Sequence, residues 1–297
     1  MREKLFTTAL SVPEFVLARA AKCEPISQVM GSCIYHVGQI PDYKGKTGEI
    51  RVISDAHRES RRRAISRLFD EAARVGADAV IGVHLRDRMI TMGKRGKGGD
   101  DGGEVLEMTI VGTAVRAPWI DHPPGQPIVT DLSGQELWAL HVDGFEPTGF
   151  VFEFCRYHVF HATNNRPQGS GELSSASGAV DTARKIASEK LLAQATLHQA
   201  EFVVGSDISI SLREVPCGFG GCELDDVDVD VSAFGTAIRR TREGTRVHGT
   251  PPFLLSMIPI GARHDVRVEG EDDADDIEVA AEEAEELALE LDEANGE

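Results

Sequence analysis

Residues 33–37 read Cys-Ile-Tyr-His-Val, and residues 155–159 read Cys-Arg-Tyr-His-Val. Outward from these, Glu14, Glu24, Pro25 and Val29 reappear as Glu136, Glu146, Pro147 and Val151 at the same spacing of 122 positions (155 − 33). Past residue 48 the spacing becomes 123 (235 − 112). Gly48-Glu49 then falls on Gly171-Glu172, Arg61 on Arg184, Ala64 on Ala187, Leu68 on Leu191, and Val80 and Gly82 on Val203 and Gly205. Gly112-Thr113-Ala114-Val115-Arg116 falls on Gly235-Thr236-Ala237-Ile238-Arg239. Two constant spacings over so long a stretch identify a tandem duplication.

Each copy predicts the same local elements. Gln28 to Val37 is short and β-branched, hence a strand. After a loop holding Gly48, a helix is predicted from Ser54 to Val75, because Ala64, Leu68, Ala72 and Val75 recur at three- and four-residue intervals. Gly76 stands where a left-handed residue would stop it. Ala79 to Leu85 and Val105 to Val115 read as strands. The second copy predicts a helix from Val180 to His198 and strands at Phe202–Leu212 and Val227–Ile238. The expected fold is α+β: two tandem β-α-β-β two-layer units, each a helix across a small antiparallel sheet. Such units leave strand edges that must be paired or blunted, and ring-forming oligomers are one solution.

The chain divides accordingly into repeat one (12–117), a Pro-rich linker (118–132), repeat two (133–242), an apolar and basic segment (243–268) and an acidic tail (269–297). Pro118, Pro123, Pro124 and Pro127 make the linker a semi-rigid spacer, with Trp119 and Trp138 placed to anchor it. The net charge of −18 belongs to the tail, which holds fifteen of the 49 acidic residues and no Lys or Arg; the remaining 34 nearly balance 31 basic residues. Ile277, Ala281, Ala284, Leu287 and Leu291 share one side of a prospective tail helix, whose crowded glutamates call for a protein partner or leave it a soluble extension. Five cysteines over 297 residues do not form a disulfide framework. With no apolar window long enough for a span and no convincing secretory signal, the expected protein is cytoplasmic, with no membrane partner.

Gly76-Ala77-Asp78-Ala79-Val80-Ile81-Gly82-Val83, preceded by an Arg/Ala-rich helix and closed by Gly112-Thr113-Ala114-Val115-Arg116, resembles the YbjQ family. Val29, Gly31, Gly48-Glu49 and Ala64 extend the match. The resemblance implies a dodecin-like two-layer unit and, for single-unit relatives, a homopentameric ring. It also brings the family's heavy-metal-binding label, without an agreed ligand set. Repeat two departs from the pattern: Gln199-Ala200-Glu201 replaces the capping glycine and its aspartate, and Phe154 stands in place of Gly31. Identical roles for the two copies are therefore not expected.

Metal binding must rest on ligands. Cys33 with His36, and Cys155 with His158, occur in both copies. On a strand, residues three apart face opposite ways, so a buried cysteine beside an edge or interface histidine is the competing account. Cys217 and Cys222 bound a glycine-rich loop and could pinch a metal, close a disulfide or stand idle. Asp226, Asp228 and Asp230 alternate with valines, which sets three carboxylates in a row about 7 Å apart. A cation could bridge them, or basic groups could face them. Lys94, Arg95 and Lys97 of the Gly93–Gly99 loop could do so across a head-to-tail ring. That loop lacks the Lys-Ser/Thr pair and the following helix of a phosphate-binding loop. Arg58, Arg61, Arg62, Arg63 and Arg67 have no stacking aromatics beside them on the helix, so nucleic-acid binding is not expected. No nucleophile–base order stands out, and no catalytic residue is expected. The sequence therefore points to a non-enzymatic, homo-oligomeric assembly or binding protein without a cofactor, whose tail recruits a partner. The alternative is a heavy-metal or small-ligand binder with sites at subunit junctions.

Overall fold

The computed structural model describes residues 6–38, 45–91, 104–123, 125–160, 171–215 and 226–241. Their elements are α1 (Val12–Ala20), β1 (Glu24–Gly38), β2 (Gly48–Glu49), α2 (Arg51–Arg74), β3 (Ala79–Thr91) and β4 (Glu104–Arg116), then β5 (Ile128–Val129), α3 (Gly134–Val142), β6 (Phe145–Val159), α4 (Ser174–Leu197), β7 (Phe202–Val215) and β8 (Asp226–Arg240). The fold is α+β, and the order helix, long strand, long helix, two long strands occurs once in each half. Two four-stranded sheets result, ordered β1-β4-β3-β5 and β2-β6-β8-β7. The long strands pair antiparallel.

Neither α1 nor α3 is among the elements expected above. Both span nine residues, and their signal lies at their first turns. Ser11 and Glu14 form a capping box, and Ser133 and Glu136 form another. In each, the serine side chain accepts from the glutamate N–H while the glutamate accepts from the serine N–H. The long helices run further back than periodicity indicates, starting at Arg51 and Ser174 without side-chain caps. Both stop alike. Gly76 (φ +70°) and Gln199 (φ +55°) are left-handed, and Ala77 and Ala200 donate back to Ala72 and Ala195, 3.1 and 3.0 Å away. Gln199 thus takes the glycine conformation without being glycine.

Strand alternation sets the layers. In β1, Val29, Cys33 and Val37 are buried with Ala64, Leu68 and Ala72 of α2, while Met30, Ile34 and His36 point outward. β6 is buried on both sides. Phe150, Phe152 and Phe154 join the core around α2, whereas Val151, Cys155 and Val159 pack with Ala183, Ala187 and Leu191 of α4. α2 therefore lies between the two sheets, and α4 covers the far face of the second. Gly31 permits the close approach of α2 to β1, since a β-carbon there would overlap the Ala64 carbonyl. Strand register corrects one correspondence. Gly31 faces Ile110 and Glu153 faces Ala233, so Glu153 rather than Phe154 occupies Gly31's level in the second half.

The stretch 118–132, expected as a spacer, contributes a strand. β5 runs parallel to β3, with Ala79 opposite Ile128 and Val80 opposite Val129. The first part is anchored by its tryptophan: Trp119 Nε1 donates to the Lys22 carbonyl at 3.3 Å and its ring meets Trp138 edge-on at 5.1 Å.

Candidate functional site

The residues singled out for chemistry separate in space. Cys33 is buried beneath α2 while His36 is exposed on the opposite face of β1, as a strand requires. Cys155 is buried against α4, and desolvation pushes its thiol up to about 12. Cys23, Cys33 and Cys155 are free thiols. Lys94, Arg95, Lys97, Cys217 and Cys222 lie outside the described residues, as do 243–268 and the tail at 269–297.

His158 and the aspartate row do come together. β6 and β8 are register neighbours, with His158 opposite Asp228 and Arg156 opposite Asp230. The His158 Nδ1–H donates to Asp228 Oδ1 at 2.8 Å, and its Nε2 lies 3.5 Å from Asp226 Oδ2. All three side chains are buried. The hydrogen bond to Asp228, reinforced by both carboxylate charges, raises the imidazole above its usual range. Arg156 forks onto Asp230, Nε to Oδ1 at 2.6 Å and Nη2 to Oδ2 at 2.5 Å. Among the described residues, the basic groups facing the aspartate row are Arg156 and His158 of β6 and, 4.0 Å from Asp228, Arg213 of β7.

This row continues into a buried polar seam against α2 that sequence reading missed. The His57 ring stacks on Phe154 with centroids 3.6 Å apart and planes within 7°. Burial, with the charges of Arg156 and Arg61, drives its imidazole well below the usual range. The Arg61 guanidinium lies 3.4 Å above the centre of Phe152 and donates to the Phe152 carbonyl at 2.7 Å. Arg58 donates to Glu153 at 3.2–3.3 Å, and Gln194 of α4 donates to the same carboxylate and, at 3.0 Å, to the Phe152 carbonyl. Arg62 and Arg63 instead pair with Glu59 on the open side of α2. A helix with arginines at 58 and 61 reads as a charged surface; only the second sheet turns that surface into an interior. The residue nearest to a sequence signal is Arg61, which has no acid one turn away along α2, whereas Arg58 has Asp55, met by its Nη1 at 2.6 Å.

A family model described as "Putative heavy-metal-binding", that of the YbjQ family, matches residues 35–118. Over 263 residues the chain is 33% identical to the Encapsulin nanocompartment protein Rv1762c of Mycobacterium tuberculosis, which covers 86% of this chain and 93% of that protein. The chain belongs to the YbjQ-like family. Within the YbjQ-like group, a UPF0145 protein of Lacticaseibacillus casei is 33% identical over 122 residues, 39% of this chain and 95% of that protein. A UPF0145 protein of Thermosipho africanus is 33% identical over 98 residues, 31% of this chain and 81% of that protein. No solved structure matches significantly.

The YbjQ-like description invites a heavy-metal test, and the described residues do not fit one. Soft cations take thiolates, yet Cys33 and His36 diverge, the Cys155 thiol is held protonated, and His158 is engaged by two carboxylates. Among the described residues no cluster of three or more His, Cys, Asp or Glu side chains is arranged to hold an ion. Nor, among them, is any helix long and apolar enough to cross a membrane.

Proposed function

We propose that this chain is a non-enzymatic, oligomeric assembly protein that works with a protein nanocompartment, and that its acidic segment 269–297 recruits a protein partner. One observation carries the reading: nearly the whole length of a relative named as an encapsulin nanocompartment protein aligns with this chain at 33% identity. The seam supports it physically. Arg58, Arg61, Arg156, Glu153 and Asp230 are committed to one another and to backbone carbonyls, which suits a scaffold better than a reaction centre. Native mass spectrometry of the full chain, with sedimentation of cell extracts, tests the proposal. A multi-chain species that co-sediments with large protein shells, and loses that association when 269–297 is removed, is expected. A lone chain that never enters large particles overturns it. The rival reading, a heavy-metal or small-ligand binder, draws on the family description; tight stoichiometric cadmium or zinc binding abolished by Cys155→Ser or Cys33→Ser would favour it.

A further inference from the structure

Inside one chain, the two halves meet through a specific junction. The segment 128–132 lies along β3: Ile128 N donates to Asp78 O (3.1 Å), Thr130 N to Val80 O (3.0 Å), Val83 N to Thr130 O (3.2 Å) and Gly82 N to Leu132 O (2.9 Å). Its Thr130 hydroxyl meets Thr236 of its own half at 2.7 Å, and Leu132 N donates back to the Thr130 hydroxyl at 3.0 Å. Beside it α3 rests on α1; a β-carbon on Gly134 would come within 3.0 Å of Ala18. Ala79, Ile81 and Leu137 are wholly buried there.

Each side of this junction has a counterpart whose matching outer surface carries no strand or helix among the described residues. Segment 6–10 repeats segment 128–132: the Thr8 hydroxyl lies 3.0 Å from Thr113, and Leu10 N donates to the Thr8 hydroxyl at 3.2 Å. β7 repeats β3, down to its left-handed glycine (Gly205, φ +64°; Gly82, φ +58°) and the register shift around it. But β3 carries β5, whereas among the described residues β7 is the last strand of its sheet. α1 repeats α3, yet where Gly134 and Trp138 are buried, Val12 and Val16 are 79% and 58% exposed. Phe6 and Phe202, which stand where Ile128 and Ala79 pair, are 41% and 47% exposed.

Building on the oligomeric reading above, we propose that the internal junction is repeated between chains. Residues Phe6–Leu10 and the Val12/Val16 face of α1 from one copy dock on the Phe202–Ser206 edge of β7 and on α3 of the preceding copy. The partner is a second copy of this chain, because the docking groups are the ones the chain already uses on itself. Thr8 N–H donates to the neighbour's Val203 carbonyl, the neighbour's Ser206 N–H donates to the Thr8 carbonyl, and its Gly205 N–H donates to the Leu10 carbonyl. Main-chain pairing supplies attraction at an open sheet edge, and the paired phenylalanines and valines leave water. The contact is head-to-tail, so it propagates around a closed ring.

Native mass spectrometry combined with amide hydrogen exchange on the full chain tests this. The internal junction is a built-in reference: the Gly205 and Ser206 amides should be as protected as those of Gly82 and Val83. The double substitution Val12→Glu with Val16→Glu, at exposed positions the fold does not need, should reduce the assembly to single chains. It should also open Gly205 and Ser206 at least 100-fold while Gly82 and Val83 stay protected. Lys185→Glu, exposed on α4 as its first-half counterpart Arg62 is on α2, should leave the mass unchanged. An assembly that survives the double substitution, with Gly205 and Ser206 exchanging freely, overturns this interface and leaves the oligomeric reading standing. A wild-type chain that is single at every concentration overturns both.

Discussion

Gly31 lies so close beneath Ala64 that a β-carbon on it would overlap the Ala64 carbonyl oxygen and sit 2.7 Å from the Leu68 amide nitrogen. Backbone, not a pliable side chain, occupies the space. This contact sets the distance between the first sheet and α2, and through α2 the distance to the second sheet.

Gly31→Ala should therefore cost about 3 kcal/mol or more, since either α2 or β1 must shift as a body. Urea unfolding monitored by circular dichroism would show it. A loss under about 1 kcal/mol would mean the gap opens freely and that Gly31 is not its spacer.

Gln199 ends α4 in a left-handed conformation that costs a β-carbon-bearing residue about 1 kcal/mol. Gln199→Gly should raise stability by about 0.5–1 kcal/mol, and Gly76→Ala should lower it by about 1 kcal/mol. Thermal unfolding of the pair decides whether the two caps are equivalent; changes of the same sign would show that they are not.

Buried Arg156 forks onto the partly buried Asp230 across β6 and β8. Arg156→Met should destabilise by about 3 kcal/mol by stranding Asp230. Adding Asp230→Leu should recover a large part of that loss, because the penalty belongs to the unpaired charge. A double variant no better than the single one would place the cost in packing instead.

The two buried histidines should act in opposite pH directions. His158 is raised above 6.5 by Asp228, so its stabilisation is complete below about 6.5 and is lost as pH climbs through its folded value. His57 is held neutral below 6.5 by burial and by Arg156 and Arg61. The unfolded chain takes up that proton first, so stability falls as pH drops beneath about 6.5. His158→Gln should flatten the alkaline slope of a stability–pH profile, and His57→Phe, which keeps the stack on Phe154, should flatten the acidic one. Parallel profiles for wild type and variants would contradict both assignments.

How much of this was legible in advance varies element by element. The long helices and strands announce themselves through apolar period, and Gly76 marks a helix end by its chemistry. α1 and α3 escape a periodicity search because nine residues make too few turns, although Ser11/Glu14 and Ser133/Glu136 mark their starts. β5 hides in a proline-rich stretch because its two paired residues draw their strand character from β3, not from themselves. The Cys33 and His36 divergence follows from strand alternation alone.

By itself, then, the amino-acid order determined the long helices and long strands of each half and the inward face of β1, because these depend on periods only a few residues long. Only the tertiary structure decided that the second sheet packs its Phe150–Phe152–Phe154 row onto α2. That packing buries Arg61 against the Phe152 ring and carbonyl and draws the partly exposed Arg58 onto the buried Glu153 carboxylate. The reason is physical: whether a charge meets water or a partner depends on what lies across a gap of a few ångströms, and here the partner is nearly a hundred residues away along the chain.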